Sequence, residues 1–223
     1  VQIVYNGCSP FDYVGDVPSD VEFVCTARLD KHKGIDVLLR ALALVEGPPA
    51  SVDLLGTGPE EKPLRELALS LGIAGQVRFR GLVGRSEVGA YLAKATALVL
   101  PSLAENFPRA ILEGLHAGVP IVTTFAGGIP EAVEDQKEGL LVRPGDVAAL
   151  ANALSRLRSD ATLRERLRVA AAARAPDFTW ERSAEQLEEL YSSMLDSPPP
   201  TVVPPRPRLA AALSDGTSSP KSS

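Results

Sequence analysis

An α/β fold is expected, with a parallel sheet covered by helices on both faces, C-terminal helices and a disordered tail. Short apolar runs of strand length recur along the chain, and stretches of helical period lie between them. Beyond residue 146 only helical periods remain. Strands spaced by helices in that rhythm build parallel sheets, because each crossover helix covers a face and returns the chain in the same direction.

The first buried strand is E-F-V-C-T, Glu22 to Thr26. Ile35, Val37, Leu38, Ala41, Leu42 and Val45 form one apolar stripe and predict a helix at about 35–45. Val52 to Leu55 is the next strand, followed by a helix at about 60–71. Val77 to Phe79 is a strand and Ser86 to Lys94 a helix. Ala97 to Leu100 reads as the central strand, feeding a helix that carries Glu113. Pro120 to Thr123 is another strand, a short helix begins near Pro130, and Gly139 to Val142 is the last strand. Asp146 caps a helix striped with Val147, Leu150, Leu154 and Leu157. Thr162 to Arg174 is amphipathic and closed by Pro176, and Phe178-Thr179-Trp180-Glu181 opens a final helix through Leu187, Leu190 and Met194. Three regions result: 1–20, where an alternating V-Q-I-V-Y ends at the turn signal Asn6-Gly7 and a linker follows; 21–195, the folded domain; and 196–223, a Pro/Ser-rich tail.

The 223 residues carry a net charge of −5 with no block of Lys or Arg, which argues against nucleic acid and a polybasic membrane anchor. The two cysteines, Cys8 and Cys25, lack zinc or redox-motif spacing. Cys25 lies in an apolar strand as a buried thiol, which fits a reducing compartment. No apolar run is long enough to span a bilayer, and no signal peptide opens the chain. The first residue is Val, so a fragment of a longer polypeptide is expected.

The chemistry concentrates at Pro101 to Pro120, P-S-L-A-E-N-F-P-R-A-I-L-E-G-L-H-A-G-V-P. Strand, loop and helix N-terminus is where open α/β sheets bind anions, and Asn106 is the expected N-cap, with Pro108 in the first turn. Glu105 and Glu113 flank that start. Carboxylates repel phosphate but accept hydroxyl protons, so the pair suits a ligand with both phosphate and polyol. Arg28 and Lys33, in T-A-R-L-D-K-H-K-G, would project from the same sheet edge as cations for a diphosphate. There is no Asp-x-Asp pair, and His32 and His116 are not spaced for a metal; His116 reads as a helix residue near a C-terminus. Gly56-Thr57-Gly58 follows a strand but lacks the third glycine of a dinucleotide site, so a tight turn is the better reading. Gly127 and Gly128 allow close backbone approach or positive φ. Glu131 suits a first helical turn as well as a site. Val77 and Phe79 read as core, leaving Arg80 and Gly81 as candidates at that strand's end.

The E-x7-E pair within P-S-x-x-E-N-F-P-R-A-I-L-E-G-L-x-A-G-x-P resembles the donor signature of the family 4 (group 1) retaining glycosyltransferases of GT-B fold. The resemblance covers about residues 1–195. It implies a Rossmann-like C-terminal half, whose final helix crosses back toward an N-terminal acceptor domain lacking here. It assigns Glu105, Arg28 and Lys33 to catalysis: the cations clamp the diphosphate, and Glu105 binds hexose hydroxyls near the anomeric carbon. Glu113 would hold the ribose, the amides of Phe107, Arg109 and Ala110 would surround the phosphates, and Asn106 would be a further substrate-binding residue. Gly127 and Gly128 would lie near the sugar, with Arg80 and Gly81 near the base. The implied reaction is metal-independent glycosyl transfer from a nucleotide-diphosphate sugar with retention, needing no cofactor. Family members act mostly in the cytoplasm, often at the inner membrane face, on lipid, glycan or small-molecule acceptors. Two departures stand out: Gly114 where Ala is usual, and Ala27 where Gly often precedes the arginine. The alternative is a non-catalytic sugar-nucleotide-binding module; a phosphorylase or epimerase of the same fold is a third reading.

Overall fold

A computed structural model describes residues 3–12, 17–18 and 20–195. Six strands, β1 (Phe23–Thr26), β2 (Val52–Leu55), β3 (Val77–Gly81), β4 (Ala97–Leu100), β5 (Ile121–Thr124) and β6 (Gly139–Val142), form one sheet in the order β3-β2-β1-β4-β5-β6. Every pairing is parallel. Strand order reverses between β1 and β4, and ligands of open α/β sheets bind outside the carboxyl ends at such a reversal.

The helices are α1 (Ile35–Leu42), α2 (Glu61–Ser70), α3 (Arg85–Lys94), α4 (Arg109–Ala117), α5 (Ile129–Ala132), α6 (Val147–Ser159), α7 (Ala161–Arg174) and α8 (Trp180–Leu195). Successive strand residues face opposite sides. Phe23 and Cys25 join Leu38, Leu64 and Leu154 in one core, whereas Val24 joins Leu92, Ile111 and Leu115 in the other. Burial pushes the Cys25 thiol up to about 12. Pro176 lies in a short 3₁₀ turn, Ala175–Phe178, rather than at a clean stop. Residues expected as a linker also contribute core: Cys8, Phe11 and Val17 are buried. The tail, 196–223, lies outside the described residues. No described helix is long and apolar enough to cross a membrane.

Asp146 caps α6 as expected, accepting from Ala149 N at 2.9 Å. The expected cap of α4 is corrected. Its N-cap is Pro108, extended and without a side-chain bond, not Asn106. The proline ring holds φ at −77°, and the helix begins only after it. Gly114 also finds its reason here: a Cβ would sit 2.7 Å from Leu98 Cδ2, so the missing methyl lets α4 lie close on β4.

Candidate active site

A cleft of about 840 Å³ opens at the carboxyl ends of β1, β2 and β4. Arg28, Lys33, Arg109, Ala110 and Glu113 line it, with Thr26 and Ala27 after β1, the turn Gly56–Gly58, and Leu82, Val83 and Arg85 after β3. Strand register explains the convergence, since each strand ends at the same level and releases its loop there. Another depression, about 880 Å³, opens at the opposite edge beside Glu22, Glu46 and Thr96. Its arginines are engaged already: Arg158 with Glu22, Arg164 with backbone carbonyls and Arg156 with Gln136.

The α4 start offers donors. Ile111 N bonds Pro108 O at 3.1 Å, and with no side-chain cap the Arg109 and Ala110 amides have no acceptor within the helix. The positive helix end therefore faces the same space as Arg28 and Lys33. Arg28 is 71% exposed and pairs with Asp30 at 3.1 Å. Lys33, 17% exposed, bonds Glu105 Oε1 at 2.5 Å. That oxygen also accepts from the buried Ser102 hydroxyl at 2.8 Å. Ser102 is held in turn through its carbonyl by Thr124 Oγ1 at 2.6 Å. Glu105 is thus oriented from β4 and β5 together.

Glu113 lies one turn into α4, on the cleft wall. Burial raises its pKa above the ordinary carboxylate value, while Arg109 and Arg85 pull it down. A desolvated carboxylate between two guanidiniums is an acceptor ready for hydroxyls that replace its lost water.

Glu105 reaches the cleft only through its bond to Lys33, and the remaining expected residues are not on the cleft wall either. Gly127 (φ 53°) and Gly128 support the Glu105 loop: a Cβ on Gly127 would clash with Glu105 O, and Gly128 N bonds Asn106 O at 2.8 Å. Asn106, Phe107, Gly128 and Glu131 line a smaller recess of about 240 Å³ with Tyr5. Arg80 is not on the cleft wall; its Nε bonds Asp53 Oδ1 at 2.7 Å. Gly81 bridges Gly56 at the cleft floor, Gly56 N donating to Gly81 O at 2.7 Å. His116 sits in the last turn of α4, its Nε2 3.3 Å from Phe178 O.

Sequence reasoning missed Arg85, Leu82 and Val83. Their signal was position alone, a G-L-V-G-R turn between a strand's carboxyl end and a helix start. It also missed Asp53, fully buried on β2 and shared by Arg78 and Arg80. Among the described residues no group of three or more His, Cys, Asp or Glu could hold a metal ion.

Comparison with known proteins follows the same lines. The profile described as Glycosyl transferases group 1 matches residues 16–174. D-inositol 3-phosphate glycosyltransferase of Streptomyces scabiei (strain 87.22) is 38% identical over 180 residues, 75% of this chain and 40% of that protein. The protein of the same name from Corynebacterium diphtheriae (strain ATCC 700971 / NCTC 13129 / Biotype gravis) is 36% identical over 179 residues, 76% and 42%. The chain thus spans about two fifths of the length of these curated relatives. Sucrose-phosphate synthase from Thermosynechococcus elongatus superposes with a TM-score of 0.77 at 27% identity, covering 87% of this chain and 52% of that one. Anabaena Alr3699/HepE in complex with UDP-glucose gives 0.76 at 26% identity, covering 86% and 57%. By profile, relatives and sheet, the chain belongs to the group 1 glycosyl transferases, and its Rossmann-like sheet is that of a GT-B enzyme.

Proposed function

We propose that this domain is the donor-binding half of a retaining, metal-independent glycosyltransferase of family 4 that uses a nucleotide-diphosphate sugar. The observation that carries the reading is the meeting, in one cleft, of four cationic side chains (Arg28, Lys33, Arg85 and Arg109), the free amides of α4 and a desolvated carboxylate. Arg28, Lys33 and the amides of Arg109 and Ala110 take the diphosphate, whose charge grows as the glycosidic bond breaks. Glu113 accepts the ribose hydroxyls. Glu105, with Oε1 occupied by Lys33 and Ser102, turns its other oxygen to the hexose. The bond to Lys33 couples the sugar carboxylate to a phosphate cation, so both groups move as one.

UDP is the nucleotide to try first, since a solved neighbour at 26% identity binds UDP-glucose. The acceptor would be held by a domain outside this chain, which fits a length of about two fifths of the relatives. That same observation favours a second reading, a module that binds donor and transfers nothing alone. Calorimetric titration of the chain with UDP-glucose in EDTA tests the common premise. Binding is expected, with Arg28→Ala and Glu113→Ala each losing at least about tenfold, the worth of one charge-assisted contact. Wild-type affinity in both variants, or binding that needs a metal, sinks the reading. Mixing the chain with a matching acceptor half separates the two forms: turnover supports the enzyme, binding without turnover the module.

A further inference from the structure

Residues 3–8 precede the stretch that the family profile matches, yet they are tied into the domain. Ser183 Oγ in α8 donates to Tyr5 O at 2.7 Å, and Cys8 N donates to Phe178 O at 2.8 Å. These bonds fix the leading segment against the junction of α7 and α8. From that anchor the Tyr5 side chain reaches the loop that carries Glu105. Its ring lies 4.8 Å from the Phe107 ring, tilted by 30°, and its hydroxyl donates to Glu131 Oε2. Phe178 closes the cluster, 5.8 Å from Tyr5 and 5.6 Å from Phe107. Arg174 donates to Glu131 O at 3.0 Å from behind.

Two of the residues that the Tyr5 side chain touches, Phe107 and Glu131, belong to the support of Glu105. Phe107 is two positions along the same loop. Glu131 lies on α5, directly after the Gly127–Gly128 turn that packs on the Glu105 and Asn106 carbonyls. The two supports meet at one bond, Gly128 N to Asn106 O.

We propose that Tyr5 is a positioning residue: by holding Phe107 and Glu131 together it fixes the Glu105 loop, so the leading segment and the donor loop move as one unit. A ring packed on one side and a hydroxyl bonded on the other constrain the loop in two directions, which neither contact does alone. Its catalytic consequence rests on the donor reading above, but the mechanical claim does not.

The first test therefore uses the chain without ligand. In Tyr5→Ala, amide hydrogen exchange at Gly128 and Ile129 is expected to quicken about tenfold more than at Leu98, whose amide bonds Pro120 O within the sheet. Tyr5→Phe keeps the ring and loses only the hydroxyl, so a smaller rise of about threefold is expected. Unchanged rates at Gly128, or an equal rise at Leu98, overturn the proposal; the latter would make Tyr5 a contributor to overall stability only. A second test separates the two readings. Tyr5→Ala is expected to weaken UDP-glucose about tenfold and to leave UMP, which lacks the hexose and the β-phosphate, unchanged. Equal loss for both ligands counts against positioning. Failure of the wild-type chain to bind either ligand counts against the donor reading, while the exchange rates still decide the role of Tyr5.

Discussion

Glu113, proposed above to bind the donor, illustrates how a site carboxylate can work against the fold that carries it. Its pKa in the folded chain is raised, chiefly by burial. The unfolded chain therefore gives up that proton at lower pH than the folded one. Between the ordinary Glu value of about 4.3 and the raised value, the folded state holds more protons, so stability falls as pH rises through that window. Above it the loss is complete. Glu113→Gln is thus expected to raise the unfolding temperature at pH 7 and not at pH 3.5, by an amount within the ~0.5–2 kcal/mol common for such relief, while donor binding is lost. Thermal melts at both pH values check this; a Tm that falls at pH 7 would contradict it. The carboxylate itself was legible in the sequence through E-x7-E. Its desolvation was not, because the cleft walls also come from β2, the loop after β3 and α3, where the unsuspected Arg85 pulls the pKa back down by its charge.

The turn before α5 matters for what it supports. Gly127→Ala places a Cβ against Glu105 O on a backbone at φ 53°. The left-handed cost alone is about 1–2 kcal/mol, and relief of the clash must move the Glu105 loop. Calorimetry with UDP-glucose is therefore expected to lose affinity in Gly127→Ala beyond what its lowered Tm explains; unchanged affinity would remove this role. On the other side of the sheet, Arg78 and Arg80 project from the same face of β3 and both pair with the buried Asp53. Asp53→Ala takes the carboxylate partner from Arg80, 28% exposed, while Arg78, 24% exposed, keeps its pairing with Asp20. The expected loss is about 3 kcal/mol in urea unfolding, the low end for breaking a buried pair, because water can reach both arginines. Element types and order were readable from period and spacing. The errors sit at ends: α4 starts after Pro108 rather than at Asn106, since Pro108 is itself extended and the helical turn closes only beyond it. Arg80 looked like a site residue because it ends a strand at the ligand edge. Strand alternation turns it instead toward Asp53, a partner on the neighbouring strand that no local pattern announces.

At the scale of the molecule, a parallel sheet with one reversal point gathers the loops of β1, β2, β3 and β4 at a single edge. That gathering was foreseeable from the βα rhythm. The participation of residues before the first strand was not: Cys8, Phe11 and Tyr5 pack onto elements more than seventy residues away, as in the bond from Cys8 N to Phe178 O. Composition marked 8–20 as a linker and the alternating run up to Tyr5 as the end of a preceding unit, and only the fold shows what Tyr5, Cys8 and Phe11 cover. The central claim is that the carboxyl edge of this sheet holds the donor. Backbone amide shifts on adding UDP-glucose to the labelled chain, with EDTA present, test it most directly. Shifts clustered at Arg28, Gly56, Arg109 and Ala110 are predicted; shifts at Asn152, Ser155 and Ser159, beside the opposite depression, or no shifts at all, would contradict it.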